Sequence, residues 1–198
     1  MKTFFNYGTM NSGKTAQLLM AYHNYMEKGT QVAILTPSID TRVEAGTIQS
    51  RSGMSENVDF VITPEMEDNM SAHDLLERLY DYHPDLEVIL VDEAQFLSED
   101  FVWDLILQAS QTDITILFYG LLKTFRGVMF PTSQLLIETC NSFKEIKTEC
   151  FFCRQKATFN LRYEDGNPTI NGENISIGDS EYKAVCFYHF YDNFKNIK

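Results

Sequence analysis

Apolar runs and helical patterns alternate along most of the chain. A first strand is expected to end at Phe4 and Phe5. Further apolar runs with the length of strands occur at residues 31–36, 58–62, 87–91 and 113–119. Because parallel strands need crossover connections, which are usually helices, this alternation predicts an α/β fold with a parallel sheet covered on both faces.

Three segments have the spacing of amphipathic helices. They are expected at residues 16–28, at residues 71–81 and from residue 98 onwards. Gly29 is a stop signal for the first helix, and Ser71 and Asp74 have the spacing of a capping box at the start of the second. The side chains predicted to face the core from the second and third helices are Leu75, Leu76, Leu79, Phe101, Val102, Leu105 and Ile106.

Size and charge restrict the class of protein. With 198 residues, 44% of them hydrophobic, the chain has room for one main domain and a small additional module. The formal net charge of −12 repels polyanions and argues against tight binding to DNA or RNA. No apolar run reaches the roughly 20 residues of a membrane helix, and the N-terminus does not resemble a signal peptide. We therefore expect a cytoplasmic protein whose cysteines are thiols or metal ligands.

The segment Gly8-Thr9-Met10-Asn11-Ser12-Gly13-Lys14-Thr15 fits the phosphate-loop pattern G-x-x-x-x-G-K-[ST]. Gly8 and Gly13 allow backbone N–H groups to turn towards a phosphate, and the following helix adds its unpaired N-terminal donors. Lys14 is expected to bridge the β- and γ-phosphates, and Thr15 to bind Mg²⁺. The segment predicts binding of a nucleoside triphosphate.

Two adjacent carboxylates follow the strand predicted at residues 87–91. Asp92 suits the acid that holds Mg²⁺ in phosphate-loop proteins. Glu93 is expected on the other side of the strand end, where it would accept a proton from an attacking water or hydroxyl group. In the alternative interpretation, both acids only cap the next helix.

A metal site is predicted from two short cysteine and histidine motifs. Cys150 and Cys153 form a C-x₂-C motif, and Cys186 and His189 form a C-x₂-H motif. Four soft ligands fit tetrahedral Zn²⁺ in a structural role, with no open position for catalysis. The alternative is a set of buried thiols without a metal. Cys140 has no partner in this pattern and is expected in the core.

A polar segment between Pro37 and Asn57 is longer than most connections. Its residues Asp40, Arg42 and Arg51 suggest a loop near the phosphates, and either arginine is a candidate for reaching the transferred phosphoryl group. A solvated surface loop is the alternative interpretation.

The motifs occur in one order along nearly the whole chain. They are the phosphate loop, Asp40-Thr41-Arg42 with Ser50-Arg51-Ser52-Gly53 after it, Asp92-Glu93-Ala94-Gln95-Phe96, Tyr119-Gly120-Leu121 followed by Phe125-Arg126-Gly127, the two cysteine and histidine motifs, and residues 174–178 leading to Tyr182. Together they resemble the cellular-type (type II) thymidine kinases, in particular the bacterial members. The chain departs from that pattern at Leu122, where many members have Asp, and at Asp179, where many have the second Gly of a pair.

The resemblance implies a RecA-like P-loop fold, with a parallel sheet flanked by helices over residues 1–143. It also implies a small zinc-binding lasso domain over residues 144–198. In the family, the stretch between the two metal motifs is a loop that closes over the nucleoside. The residues that match its base-reading backbone are Asn174, Ile175, Ser176, Ile177 and Gly178.

The activity implied by the resemblance is ATP-dependent phosphorylation of the 5′-hydroxyl of thymidine or deoxyuridine, a step of nucleotide salvage for DNA synthesis. Glu93 matches the catalytic base of the family. The ATP-binding positions that match are residues 8–15, Asp40, Arg42, Asp92, Glu93, Ala94 and Gln95. The substrate-binding positions that match are Met10, Phe96, Leu121, Phe125, Phe130 and Tyr182.

The resemblance further implies Mg²⁺ with ATP, a homotetramer and inhibition by thymidine triphosphate, without nucleic-acid or membrane partners. Two other functions stay open from the residues. Asp92-Glu93-Ala94-Gln95 is similar to a helicase strand-end motif and would suit a nucleic-acid-stimulated ATPase, although the chain lacks a second nucleotide-binding domain and basic tracks. A nucleotide-regulated, zinc-containing interaction module would bind ATP without transferring phosphate.

Overall fold

The computed structural model describes residues 2–38, 46–172 and 181–195. Its strands are, in chain order, β1 (Thr3–Gly8), β2 (Gln31–Pro37), β3 (Thr47–Gln49), β4 (Ser55–Asn57), β5 (Phe60–Ile62), β6 (Leu86–Val91), β7 (Thr115–Leu121), β8 (Ser142–Ile146), β9 (Phe159–Glu164), β10 (Asn167–Thr169) and β11 (Glu181–Val185). Its helices are α1 (Lys14–Met26), α2 (Pro64–Asn69), α3 (Ala72–Tyr82), α4 (Glu99–Gln111), α5 (Pro131–Thr139) and α6 (Phe187–Phe194). A 3₁₀ turn at Ala94–Phe96 follows β6.

Six strands form a parallel sheet in the order β5-β2-β6-β7-β1-β8. The prediction of an α/β fold with a parallel sheet is confirmed. The phosphate loop follows β1 and the two carboxylates follow β6, so both motifs lie at the carboxyl ends of strands. In open α/β sheets this edge is where ligands bind.

Alternating side chains of the central strands pack on opposite faces of the sheet. In β6, Ile89 and Val91 belong to a large apolar cluster with α3 and α4, whereas Val88 and Leu90 join a second cluster with Leu18 of α1. Because both faces are covered, the strand is apolar at every one of these positions. Each such side chain contributes about 1.5–3 kcal/mol through its burial.

The helix starts predicted from capping residues are confirmed. The Ser71 side chain accepts a hydrogen bond from the Asp74 N–H and the Asp74 carboxylate accepts one from the Ser71 N–H, which is the reciprocal capping box. Ser98 caps α4 by accepting from the Phe101 N–H. The predicted core positions of both helices are buried, except Ile106, which is partly buried. Among the helices in the described part of the chain, none has the length and apolar character needed to cross a bilayer.

The bounds of β1 and α1 differ from those predicted from the sequence. β1 continues past Phe5 to Gly8, because it is paired with β7 on one side and β8 on the other. α1 begins at Lys14 and ends at Met26, two residues before the predicted end. A turn after the helix then ends at Gly29, whose φ of 78° is left-handed.

Part of the polar segment before β5 forms an antiparallel hairpin of β3 and β4. The prediction of a loop over the whole segment is therefore wrong at these residues. The two strands have only three residues each and are mostly polar, so they lack the apolar alternation that identifies a strand in a sequence.

The last strands form a separate antiparallel sheet in the order β10-β9-β11. Beside it, the described residues form a small apolar cluster whose buried members are Cys150, Leu161, Tyr163, Val185, Cys186 and Phe190. The domain boundary predicted after residue 143 falls within β8 and stays a prediction.

Candidate functional site

The phosphate loop leaves β1 at a point where only glycine fits. A Cβ on Gly8 would lie 2.8 Å from the carbonyl oxygen of Ile146 in the neighbouring strand β8. Gly13, at the start of α1, has a φ of 87°, and Asn11 also lies in the left-handed region with a φ of 63°. The two glycines of the motif therefore serve different needs, close strand packing at Gly8 and backbone conformation at Gly13.

The loop contains two buried hydroxyl groups, those of Thr9 and Ser12, with no hydrogen-bond partner among the described residues. Buried polar groups are nearly always satisfied in folded proteins. Together with the exposed backbone at the start of α1, these hydroxyls fit an anionic ligand at the loop.

A compact polar centre lies between the loop and the end of β6. The Lys14 ammonium group is buried and donates to the Thr9 carbonyl oxygen at 3.1 Å. The Thr15 hydroxyl donates to the Asp92 carboxylate at 2.9 Å. Burial first, and the charge of Glu93 second, raise the pKa of Asp92 to about 7, against the effects of Thr15 and Lys14. A hydroxyl and a carboxylate this close fit the oxygen ligands that Mg²⁺ prefers.

Glu93 has an unusual backbone conformation, with a φ of 47° and a ψ of 38°. Its side chain is half-buried and accepts a hydrogen bond of 2.6 Å from the Gln95 amide group.

Gln95 is only 4% exposed, and its carbonyl oxygen accepts from the Leu121 N–H at the end of β7. A Cβ on Gly120 would lie 2.6 Å from that same oxygen, so the glycine makes room for Gln95. Gln95 thus ties Glu93 to β7. The alternative in which both acids only cap the next helix does not fit Glu93, whose side chain makes no capping hydrogen bond to the 3₁₀ turn that follows.

A cleft of about 440 Å³ is lined by residues 95–100 and 130–132, and so includes Gln95. Two of the predicted base-pocket residues, Phe96 and Phe130, line it with their rings edge to face at 5.8 Å. Both sides of the cleft are fixed by buried hydrogen bonds. Thr132 donates to the Leu97 carbonyl oxygen, and Ser133 donates to the Leu121 carbonyl oxygen.

The other predicted substrate-binding residues among the described ones lie in four separate parts of the chain. Met10 lies in the phosphate loop after β1. Leu121 ends β7, Phe125 is buried in the segment after it, and Tyr182 lies in β11 opposite Arg162. The guanidinium group of Arg162 lies 5.2 Å from the centre of the Phe125 ring. The second sheet therefore reaches the segment after β7 through this cation–π contact.

The predicted metal ligands come together. The ligand atoms of Cys150, Cys153, Cys186 and His189 all lie within 4.8 Å of one another. Burial alone would raise the pKa of the Cys150 thiol, but hydrogen bonds from the backbone of Cys186, Phe152 and Cys153 lower it to about 6. A thiolate is the form that binds a metal, so the donor set fits a tetrahedral zinc ion.

Cys140 is apart from this cluster and packs against the main core, as predicted. Burial raises the pKa of its thiol to about 11.

One contact joins the second sheet to the phosphate loop and was not predicted from the sequence. Asn160 of β9 is 3% exposed, and its side-chain oxygen accepts a hydrogen bond of 2.8 Å from the Met10 N–H in the phosphate loop. A single asparagine in a strand gives no sequence signal, because its partner lies 150 positions away.

Some predicted positions lie outside the described residues. They are Asp40, Arg42 and the base-reading residues Asn174, Ile175, Ser176, Ile177 and Gly178. The described residue Arg126 donates hydrogen bonds to the carbonyl oxygens of Ile170 and Gly172, just before the base-reading segment.

Comparison with known proteins gives a consistent result. The sequence model of the thymidine kinase family matches residues 1–190. A thymidine kinase of Lactiplantibacillus plantarum is 38% identical over 95% of this chain and 94% of its own length. Those of Lactococcus lactis and Enterococcus faecalis are 36% and 38% identical over 95% of this chain, covering 96% and 93% of their lengths.

Among solved structures, a Pif1 helicase from Candida albicans matches 74% of this chain and 36% of its own chain, with a TM-score of 0.44 and 13% identity. That similarity is too low to support any argument. The family match and the curated relatives each cover nearly the whole chain and agree with the phosphate loop, the paired carboxylates and the metal cluster. The chain therefore belongs to the thymidine kinase family.

Proposed function

We propose that this protein transfers the γ-phosphoryl group of ATP to the 5′-hydroxyl of thymidine, and also of deoxyuridine. The observation that carries the proposal is the position of Glu93. It directly follows Asp92, which accepts from Thr15, and it accepts a hydrogen bond from Gln95, a residue that lines the cleft with Phe96 and Phe130. A base with these neighbours would have the phosphate donor on one side and the nucleoside on the other.

Glu93 would take the proton of the nucleoside hydroxyl as the oxygen attacks the γ-phosphorus in line with the leaving ADP oxygen. Lys14 and the amides at the start of α1 would stabilise the charge on the transferred group. Thr15 and Asp92 would hold Mg²⁺, which neutralises charge on the phosphates when bound. Because deprotonated Asp92 is needed for this, nucleotide binding is expected to remove the proton that burial favours.

The nucleoside would stack between the aromatic side chains of the cleft. The predicted base-reading residues 174–178 would supply hydrogen bonds to the base edge, because a site built from such groups rejects analogues that lack them. A structural zinc ion that fixes the ends of this segment would be held by Cys150, Cys153, Cys186 and His189.

We propose that Asp40 and Arg42 also contribute to the ATP site, that the protein is a homotetramer, and that thymidine triphosphate inhibits it. All of these rest on the family resemblance.

The test is a panel of pyrimidine nucleosides incubated with Mg-ATP, in which the monophosphate products are separated and counted. Wild-type protein is expected to produce thymidine monophosphate, and Glu93→Gln to lower kcat by about 10²- to 10⁴-fold. Glu138→Gln, on the exposed side of α5, is the matched control and should keep full activity. No phosphorylation of any nucleoside by folded, zinc-loaded protein would reject the proposal and favour a nucleotide-regulated interaction module.

A further inference from the structure

Asn160 holds one particular peptide group of the phosphate loop. The Met10 N–H donates to the Asn160 side-chain oxygen at 2.8 Å. The carbonyl of the same peptide group, that of Thr9, accepts from the Lys14 ammonium group at 3.1 Å and from the Ser12 N–H at 3.3 Å. Both ends of the Thr9–Met10 peptide are therefore engaged, and its carbonyl oxygen is a hydrogen-bond partner of the Lys14 ammonium group.

Asn160 is in turn fixed by the metal-binding region, residues 150–172 and 181–190, which contains the four predicted ligands. In the pairing of β9 with β11, Asn160 lies opposite Ala184, and Val185, opposite Phe159, directly precedes Cys186. The Ala184 carbonyl oxygen accepts from the Phe151 N–H at 2.8 Å, next to Cys150. Residues from both metal-binding motifs thus border the strand pair at the position of Asn160.

The two faces of β9 contact different parts of the protein. Leu161 and Tyr163 pack into the apolar cluster that includes Cys150 and Cys186. Asn160 and Arg162 alternate with them and lie on the opposite face, towards the phosphate loop and Phe125. Movement of the metal cluster would therefore move β9, and with it the only acceptor that the described residues offer to the Met10 N–H.

We propose that Asn160 is a positioning residue that couples the metal cluster to the phosphate loop. By holding the Thr9–Met10 peptide it keeps the Lys14 ammonium group in place for the nucleotide phosphates. Occupancy of the metal site thereby raises the affinity for nucleotide, although no metal ligand touches the phosphate loop. This coupling concerns nucleotide binding and does not depend on which nucleoside is phosphorylated.

The coupling is measured as the affinity for Mg-ADP by calorimetry, with zinc-loaded and chelator-treated protein, for wild type and for Asn160→Ala. One lost hydrogen bond should weaken binding by about 5- to 10-fold in the zinc-loaded variant. Chelation should weaken wild-type binding by a similar factor and the variant by less than about two-fold, because interacting changes are not additive. Asn160→Leu has a similar volume without the acceptor and should behave as Asn160→Ala does, which guards against a cavity effect.

Asn141→Ala is the matched control. The Asn141 side chain also accepts a backbone N–H at 2.8 Å across the sheet, from Thr3 at the other end of β1. Its loss should lower the melting temperature but leave Mg-ADP affinity and its response to zinc unchanged. Wild-type affinity in both Asn160 variants, or an equal effect of chelation with and without Asn160, would overturn the proposal. Both results can be obtained whether or not thymidine is the substrate.

Discussion

The parallel sheet and the metal-binding region keep their functional groups in place by different means. The sheet has fully buried side chains on both faces, such as Phe118 and Leu90, from strands and helices that are distant in the chain. In the metal-binding region, the described residues form a cluster with six buried members, and two of these, Cys150 and Cys186, are predicted metal ligands. A large apolar core can keep functional groups in place without a bound metal. A cluster this small needs an additional link between its parts, such as a metal ion.

The largest expected effect is that of metal removal. Chelation, or Cys186→Ser, should unfold the β9–β11 sheet while the parallel sheet stays folded, because metal binding supplies much of the folding free energy of such small units. Hydrogen exchange by mass spectrometry measures this as full exchange at residues 159–164 with continued protection of β6.

Metal removal should lower the affinity for nucleoside more than the affinity for ATP. Cys140→Ser is the control and should change neither, and equal loss of both ligands would contradict the comparison.

Truncating one core side chain in each region tests whether the two regions unfold separately. Leu90→Ala should lower the free energy of unfolding of the whole protein by about 2–5 kcal/mol, since Leu90 is fully buried in the sheet. Leu161→Ala, at a site 1% exposed, should instead accelerate exchange in the small sheet alone. Denaturant unfolding and hydrogen exchange on zinc-loaded protein separate the two results. A global loss from Leu161→Ala as large as that from Leu90→Ala would show one cooperative core.

A smaller effect is expected at Gln95, which links Glu93 to β7 within the sheet region. Gln95→Met keeps the length of the side chain but loses the hydrogen bonds to the Glu93 carboxylate and to the Leu121 N–H. We expect kcat to fall by roughly ten-fold, the size of one hydrogen bond to a charged group, with little change in the KM for ATP. Gln134→Met removes an exposed amide that donates to Glu138 on α5 and should have no effect. A higher KM for ATP at unchanged kcat would indicate that Gln95 serves the nucleotide instead.

The last expected effect is a dependence of stability on pH at Asp92. Because burial raises the pKa of Asp92 to about 7, the folded state binds its proton more tightly than the unfolded state does. This contribution is fully present at acidic pH below the unfolded pKa and is lost as pH rises through about 7. Without Mg-nucleotide, the melting temperature should therefore fall between pH 5.5 and 8.5, and Asp92→Asn should flatten that slope.

Asp74→Asn serves as the control for Asp92. Hydrogen bonds from Ser71 lower the pKa of Asp74, so its contribution is present above the unfolded pKa and lost only at more acidic pH. The slope between pH 5.5 and 8.5 should stay as in wild type. An unchanged slope in Asp92→Asn would show that Asp92 is charged in the folded state throughout.

Much of the parallel sheet could be predicted from the sequence, because burial on both faces makes a strand such as β6 apolar at consecutive positions. The same holds for α3, whose capping box is followed along the chain by its apolar stripe. No strand was predicted at β3, at β4 or in the small sheet. There, polar residues such as Asn160 and Arg162 are buried by partners that no local sequence pattern indicates.

The sequence by itself determined the candidate chemical groups of this protein: the phosphate loop, the paired carboxylates and the two pairs of predicted metal ligands each depend on residue types at short, fixed spacings. Only the tertiary structure decided how these groups act on one another. It brought Gln95 to Glu93 and Leu121, Thr15 to Asp92, and Asn160 to the peptide that positions Lys14. Apart from the Gln95–Glu93 bond, these contacts join residues far apart in the chain, and their geometry follows from strand register and packing rather than from any local sequence pattern.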